Sequence, residues 1–178
     1  MPRNVVAMIF LPLFLCALIA RAEKDPTPKL PALNAPPIGA THYQARIVTL
    51  DGRTLSLSEF KGKVLFLHYW NTYCGYCIGE LPSIQRLWDR MRGREDMAFL
   101  IVKKRKDVDP KDLEKALKTG SYDFPIYTDV DKPEEFPNAE TPVTYIVDKK
   151  GNIRFHQPEA ADWNDPAVDA YLTGLARE

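Results

Sequence analysis

Cysteine is scarce in this chain, with three among 178 residues. So few cannot staple a disulfide-dense miniature, whose small core needs several bridges. An excess of charge of one sign is missing as well. Lys plus Arg number 24 and Asp plus Glu number 24, so the basic footprint that a nucleic-acid partner requires is absent. The longest apolar run, Val5 to Ala20, is broken by Pro12 and falls short of the roughly 20 residues needed to span a bilayer. Disorder is excluded in turn by a hydrophobic content of 45%. What these absences leave is one globular domain, the default for a chain of about 100 to 200 residues.

The apolar run has a meaning of its own. It follows Arg3 and precedes Ala20-Arg21-Ala22, a small-x-small pattern, so residues 1–22 read as a secretory signal cleaved after Ala22. The competing reading is an uncleaved membrane anchor. Cys16 follows Leu15, where a lipoprotein signal would want a small residue, so a lipid anchor is not expected. Removing the signal takes away Arg3, Arg21, Cys16 and no acid, leaving 22 bases against 24 acids and two cysteines, Cys74 and Cys77. Export places the protein in a periplasmic or otherwise extracytoplasmic compartment, where disulfides persist.

Residues 23–37 hold five prolines in fifteen positions and read as an extended tether, with the domain proper over 38–178. His42 to Leu50 alternates, Asp51-Gly52 supplies a turn and Arg53 to Leu57 resumes, which predicts a β-hairpin. Val64 to Trp70 is a near-continuous apolar run, the mark of a central strand buried on both faces. Leu81, Ile84, Leu87, Trp88 and Met91 then recur at helical spacing, predicting a helix from about Cys74 to about Met91 that Pro82 should kink. Met97 to Val102 reads as a strand. Asp109-Pro110 opens a helix with Leu113, Ala116 and Leu117 toward the core. Val143 to Val147 and Asn152 to His156 are strands joined by a turn, and Asp165-Pro166 opens a last helix with Val168, Tyr171, Leu172 and Leu175 on one face. The order predicts an α/β fold with helices flanking one mixed sheet.

Cys74-Gly75-Tyr76-Cys77 stands where the buried strand gives way to the helix. The unpaired N–H groups of a first helical turn point at a sulfur so placed and favour its thiolate. Thiols in such settings fall from a pKa of about 8.5 into the range of about 3.5 to 7.5, which makes Cys74 a nucleophile near neutral pH. Cys77, one turn deeper, is placed to resolve a mixed disulfide formed at Cys74. Two other readings exist. Half of a zinc site would need further ligands, but no second CxxC occurs and His42, His68 and His156 are scattered, so no metal is expected. A structural disulfide closing so short a loop would gain little chain entropy.

The motif Tyr69-Trp70-Asn71-Thr72-Tyr73-Cys74-Gly75-Tyr76-Cys77, then Glu80-Leu81-Pro82, and later Thr141-Pro142-Val143-Thr144-Tyr145-Ile146-Val147-Asp148 with Gly151, resembles the thioredoxin superfamily. More narrowly it resembles TlpA/ResA-like exported thiol-disulfide oxidoreductases, over about residues 38–176. The resemblance implies a thioredoxin-like fold with an N-terminal hairpin and an inserted strand-helix segment, here 107–140. It implies a cis Thr141–Pro142 peptide facing the cysteines, with Thr141, Pro142, Trp70 and Tyr76 in contact with substrate. A client peptide would pair with the exposed backbone of residue 141 as a strand edge. The resemblance also gives Glu80 the handling of protons and the tuning of the thiols. His68 stands where thioredoxin carries a buried acid; a neutral imidazole there is a secondary candidate for moving the Cys77 proton, against the plainer reading of a core histidine.

No cofactor is needed by such chemistry. The partners implied are exported proteins with disulfides, apocytochrome c among them, and a membrane thiol electron donor; a monomer is expected. Gly75-Tyr76 within the motif and Thr141 before the proline are similar to periplasmic disulfide isomerases, so isomerase or oxidase chemistry is the first alternative. A copper-binding assembly factor on the same fold is the second, although such proteins space their cysteines by three residues. Two charge clusters, Lys103-Lys104-Arg105-Lys106 and Asp129, Asp131, Glu134, Glu135 and Glu140, read as solvated surface.

Overall fold

The computed structural model describes residues 26–41, 43–104, 110–118, 120–129, 136 and 140–178. The expected signal with Cys16 and Ala22, His42, the Asp109 cap, Arg105, Lys106 and the acids 131, 134 and 135 lie outside the described residues.

The apolar run becomes β4 (Val64–Trp70), in which every residue is buried. It sits mid-sheet, parallel to β5 (Met97–Lys103) and antiparallel to β7 (Val143–Val147). Beyond β7 come β8 (Asn152–Gln157) and the two-residue β1 (Gly39–Ala40); beyond β5 come β6 (Ile126–Asp129), β2 (Arg46–Thr49) and β3 (Thr54–Ser56). The order is β1-β8-β7-β4-β5-β6-β2-β3, one mixed eight-stranded sheet. The predicted hairpin is β2-β3, antiparallel with Ile47 opposite Leu55. The inserted segment contributes α2 (Pro110–Lys118) and then β6, so its helix precedes its strand.

Side chains alternate across β4, and the alternation divides the core in two. Val64, Phe66 and Trp70 join Cys77, Leu81, Ile84 and Leu87 of α1 (Gly75–Met91) and Val168, Leu172 and Leu175 of α3 (Pro166–Arg177). Leu65, Leu67 and Tyr69 turn to the opposite face, against Ile47, Val102, Phe136 and Tyr145. α1 continues through Pro82. α3 starts as its sequence predicts, with the Asp165 carboxylate accepting the N–H of Ala167 at 2.7 Å and Pro166 at the first helical position. Among the described residues no helix is long and apolar enough to cross a membrane.

Two readings are corrected here. Lys103 is not loop surface: it ends β5, fully buried, and its ammonium donates to the carbonyl of Lys104 at 3.3 Å. Nor does the proline-rich stretch run free of the domain. The carbonyl of Pro26 accepts the N–H of Asp162 at 2.8 Å, Leu30 packs on the core, and the buried Arg154 guanidinium donates to the carbonyls of Leu33 and Ala35.

Candidate active site

The site begins where β4 ends. Cys74 is the N-cap of α1 in extended backbone, φ −92° and ψ 105°, and its Sγ accepts the N–H of Cys77 at 3.1 Å. The helix start therefore directs a backbone donor at this sulfur, as the position of the motif predicts. Cys74 and Cys77 are joined by a disulfide with Cα atoms 5.2 Å apart. Their exposure is unequal: Cys74 is half-buried, Cys77 wholly buried. Only one of the two sulfurs faces outward.

The Thr141–Pro142 peptide is cis, and the carbonyl oxygen of Thr141 lies 3.7 Å from Cys74 Sγ. Asn71 ties this loop to β4: its side-chain amide donates to Thr141 Oγ1 at 3.3 Å, while its carbonyl accepts the N–H of Cys74. A concavity of about 390 Å³ opens between Pro142, Tyr76, Pro158, Glu159 and Ala160. Tyr76 is 80% exposed and Tyr73 67%, so aromatic surface flanks the disulfide. Trp70 does not take part. It is wholly buried in the α1-side core with Cys77 and Leu81, and presents nothing to a docked chain. Its expected contact with substrate is corrected by strand parity: residues 66, 68 and 70 of β4 all point beneath α1.

Glu80, one turn beyond Cys77 on α1, is only 5% exposed. Its Oε2 accepts the N–H of Ala161 at 3.1 Å and the indole N–H of Trp163 at 3.0 Å. Its Oε1 lies 3.5 Å from His68 Nε2, and the other ring nitrogen, Nδ1, is 2.9 Å from Thr144 Oγ1 on β7. Burial pushes the Glu80 carboxyl up to about 7, with the two donors on Oε2 pulling the other way. Burial also drives His68 down to about 3, so the ring is neutral. The structure thus brings Cys74, Cys77, Glu80, His68, Thr141 and Pro142 to one end of β4.

Several supporting residues had no signal in the sequence. Ala161 offers a backbone N–H, which no side-chain pattern reveals. Ser83 accepts the N–H of Trp163 at 3.1 Å and donates to the carbonyl of Glu80 at 2.8 Å, locking the loop before α3 onto α1.

Known proteins resemble this chain over most of its length. Over 124 residues the chain is 28% identical to the thiol-disulfide oxidoreductase ResA of Geobacillus thermodenitrificans, covering 66% of this chain and 67% of that relative. It is 29% identical over 109 residues to the thioredoxin-like protein YneN of Bacillus subtilis, covering 60% and 62%. Among solved structures, StoA of Bacillus subtilis superposes with a TM-score of 0.58 at 21% identity, over 71% of this chain and 93% of that one. A thioredoxin family thiol:disulfide interchange protein of Chlorobium tepidum superposes with a TM-score of 0.57 at 20% identity, over 78% and 99%. The model of the AhpC/TSA family matches residues 29–156, so a chain that carries a thioredoxin-like fold and a CxxC disulfide at the head of its first long helix belongs to the AhpC/TSA family.

Proposed function

We propose that this protein is an exported thiol-disulfide oxidoreductase working as a reductase of protein disulfides. The observation that carries the reading is the disulfide itself: a half-exposed Cys74 at a helix N-terminus, bonded to a buried Cys77, beside the cis-proline loop. In the reduced protein the Cys74 thiolate attacks one sulfur of a client disulfide. A Cys74–client bond forms, the client's S–S bond breaks, and one client thiolate leaves. Cys77 then yields its proton to the Glu80 carboxylate and attacks Cys74 Sγ, forming the internal disulfide and releasing the second client thiolate. Two electrons pass from the enzyme's dithiol to the client, and a membrane dithiol of lower potential restores them.

Thr141 and Pro142 hold the client chain at its backbone, and Tyr76 covers the flanking residue. Export is supported by the leader-like residues 1–22, and apocytochrome c with its CxxC pair is a fitting client.

A Cys77→Ser variant tests the assignment. It should accumulate mixed disulfides on Cys74 with extracytoplasmic proteins, and capture of none would overturn it. The reduction potential tests the direction: a value near thioredoxin's about −270 mV supports the reductase, whereas one near about −120 mV belongs to an oxidase.

A further inference from the structure

Two polar atoms at the heart of the site face each other with no other partner. Glu80 Oε1 and His68 Nε2 are 3.5 Å apart and sealed from water, while the remaining polar atoms of both side chains are engaged. Two buried acceptors do not face one another at this separation without cost, so a proton belongs between them. A neutral imidazole carries one N–H and can place it on either nitrogen. The Thr144 hydroxyl on the far side of the ring can donate or accept.

We propose that His68 is a positioning residue that exchanges tautomers with the ionisation of Glu80, so that one proton always lies between Oε1 and Nε2. With the carboxyl protonated, its O–H donates to Nε2 and the Nδ1–H donates to Thr144 Oγ1. With the carboxyl ionised, Nε2–H donates to Oε1 and the Thr144 hydroxyl donates to Nδ1. One proton leaves the trio, the ring and the hydroxyl keep theirs in number, and no electron moves. Glu80 itself lines a concavity of about 380 Å³ with Gly79, Ser83, Arg86 and Asp162, through which that proton reaches solvent.

The consequence concerns the pH at which Glu80 serves Cys77. A hydrogen bond to a charged group is roughly twice as strong as a neutral one. His68 therefore favours the ionised carboxyl over the neutral one and holds its titration near neutrality. The ring does not charge in doing so, because burial keeps its pKa near 3. The charged or titratable groups that share the concavity with Glu80 are Arg86 of α1, Asp162 of the loop before α3, and Tyr76 at the mouth. Across the sheet His68 meets Ile101 and Thr144, neither of which titrates.

The test is nitrogen-15 NMR of the histidines in the oxidised full chain between about pH 5 and about pH 9, with Glu80 followed through its side-chain carboxyl carbon. The expected result is an Nδ1–H tautomer at the acid end and an Nε2–H tautomer at the alkaline end, with the midpoint of Glu80. One tautomer throughout, or an imidazolium signal that follows Glu80, overturns the proposal. In His68→Leu the Glu80 midpoint should rise by about one pH unit, a tenfold change. His68→Gln, whose amide can still donate to Oε1, should restore most of it; an equal shift in both variants counts against the mechanism. The inference rests on Glu80 serving the dithiol, but its readout does not depend on turnover. A failed tautomer exchange would leave the reductase standing, and a Cys74 that traps no client would leave the exchange intact.

Discussion

Glu80→Gln separates what the buried carboxyl does for chemistry from what it costs the fold. The amide keeps the side chain's shape: its oxygen can accept from Ala161 and Trp163, and its NH2 can donate to His68 Nε2. Only the titration is lost. In the folded protein the carboxyl holds its proton up to about pH 7, against a reference value of 4.5 in the open chain. Between those values the unfolded state has given up the proton and the folded state has not, so wild-type stability falls as pH rises. Integrated from about pH 5 to about pH 8, this is on the order of 2 to 3 kcal/mol. His68 has the opposite sign. Its folded value of about 3, below the reference 6.5, means that stability is lost as pH falls from 6.5 toward 3. The two slopes oppose each other across the mildly acid range, and the wild type should be flat there. Denaturant unfolding of both oxidised proteins at the two pH values measures the difference. Glu80→Gln should gain about 2 to 3 kcal/mol on wild type in going from pH 5 to pH 8, while its release of a client from the mixed disulfide slows about a hundredfold, the low side of what a general base supplies. A stability difference that does not change with pH would refute the buried, neutral acid. An unchanged release rate would refute its role as base.

Other consequences can be checked independently. Trp163→Phe keeps the edge-to-face contact with Phe66 (ring centroids 5.0 Å apart) and deletes one donor to Glu80, so the pH midpoint of dithiol reactivity should move up by about one unit. Tyr76→Ala, at a residue 80% exposed, should change stability by less than about 0.5 kcal/mol yet raise the KM for a client peptide several-fold, read by steady-state kinetics. Arg154→Met strips the buried Asp148 carboxylate of its cation at 3.3 Å; a loss of about 3 kcal/mol in denaturant unfolding is expected, with faster amide exchange over residues 33–35.

Much of this was legible beforehand, for reasons that lie in particular residues. The near-continuous apolar stretch 64–70 announced a central strand, and Asp165-Pro166 placed a helix start that the structure repeats. Such signals are local. Trp70 was misplaced because a strand buried on both faces shows no alternation, so nothing in its sequence says which residues lie under α1. Once the parity is known from Cys77, Leu81 and Phe66, Trp70 and His68 fall to the same side. The proline-rich stretch shows another limit. Composition predicts that it is extended, but whether it docks depends on Arg154, some 120 positions away in the chain. Lys103 was hidden among cations that usually face water, and only its place at the end of a central strand buries it. Glu80 was singled out, but its partners were out of reach: one is a backbone N–H and another an indole 83 residues on.

The proposed reductase chemistry makes two demands that conflict at a single opening. The client must close over Cys74 for its sulfur to align, whereas protons must come and go with water. The structure separates the two exits. Pro142, Pro158 and Glu159 border one concavity; Glu80, Ser83 and Arg86 border a second, and Tyr76 and Ala160 belong to both. In the proposed mode of docking, a chain at the cis-proline loop would cover the first and leave the second open. Cys74 and Glu80 are six residues, nearly two helical turns, apart with buried Cys77 between them, and of the two only Glu80 borders the second concavity. It follows that Glu80→Gln should alter the rate of the resolving step without altering client affinity, and that Tyr76→Ala should do the reverse. If both variants changed KM and kcat together, a single shared opening would be the better description.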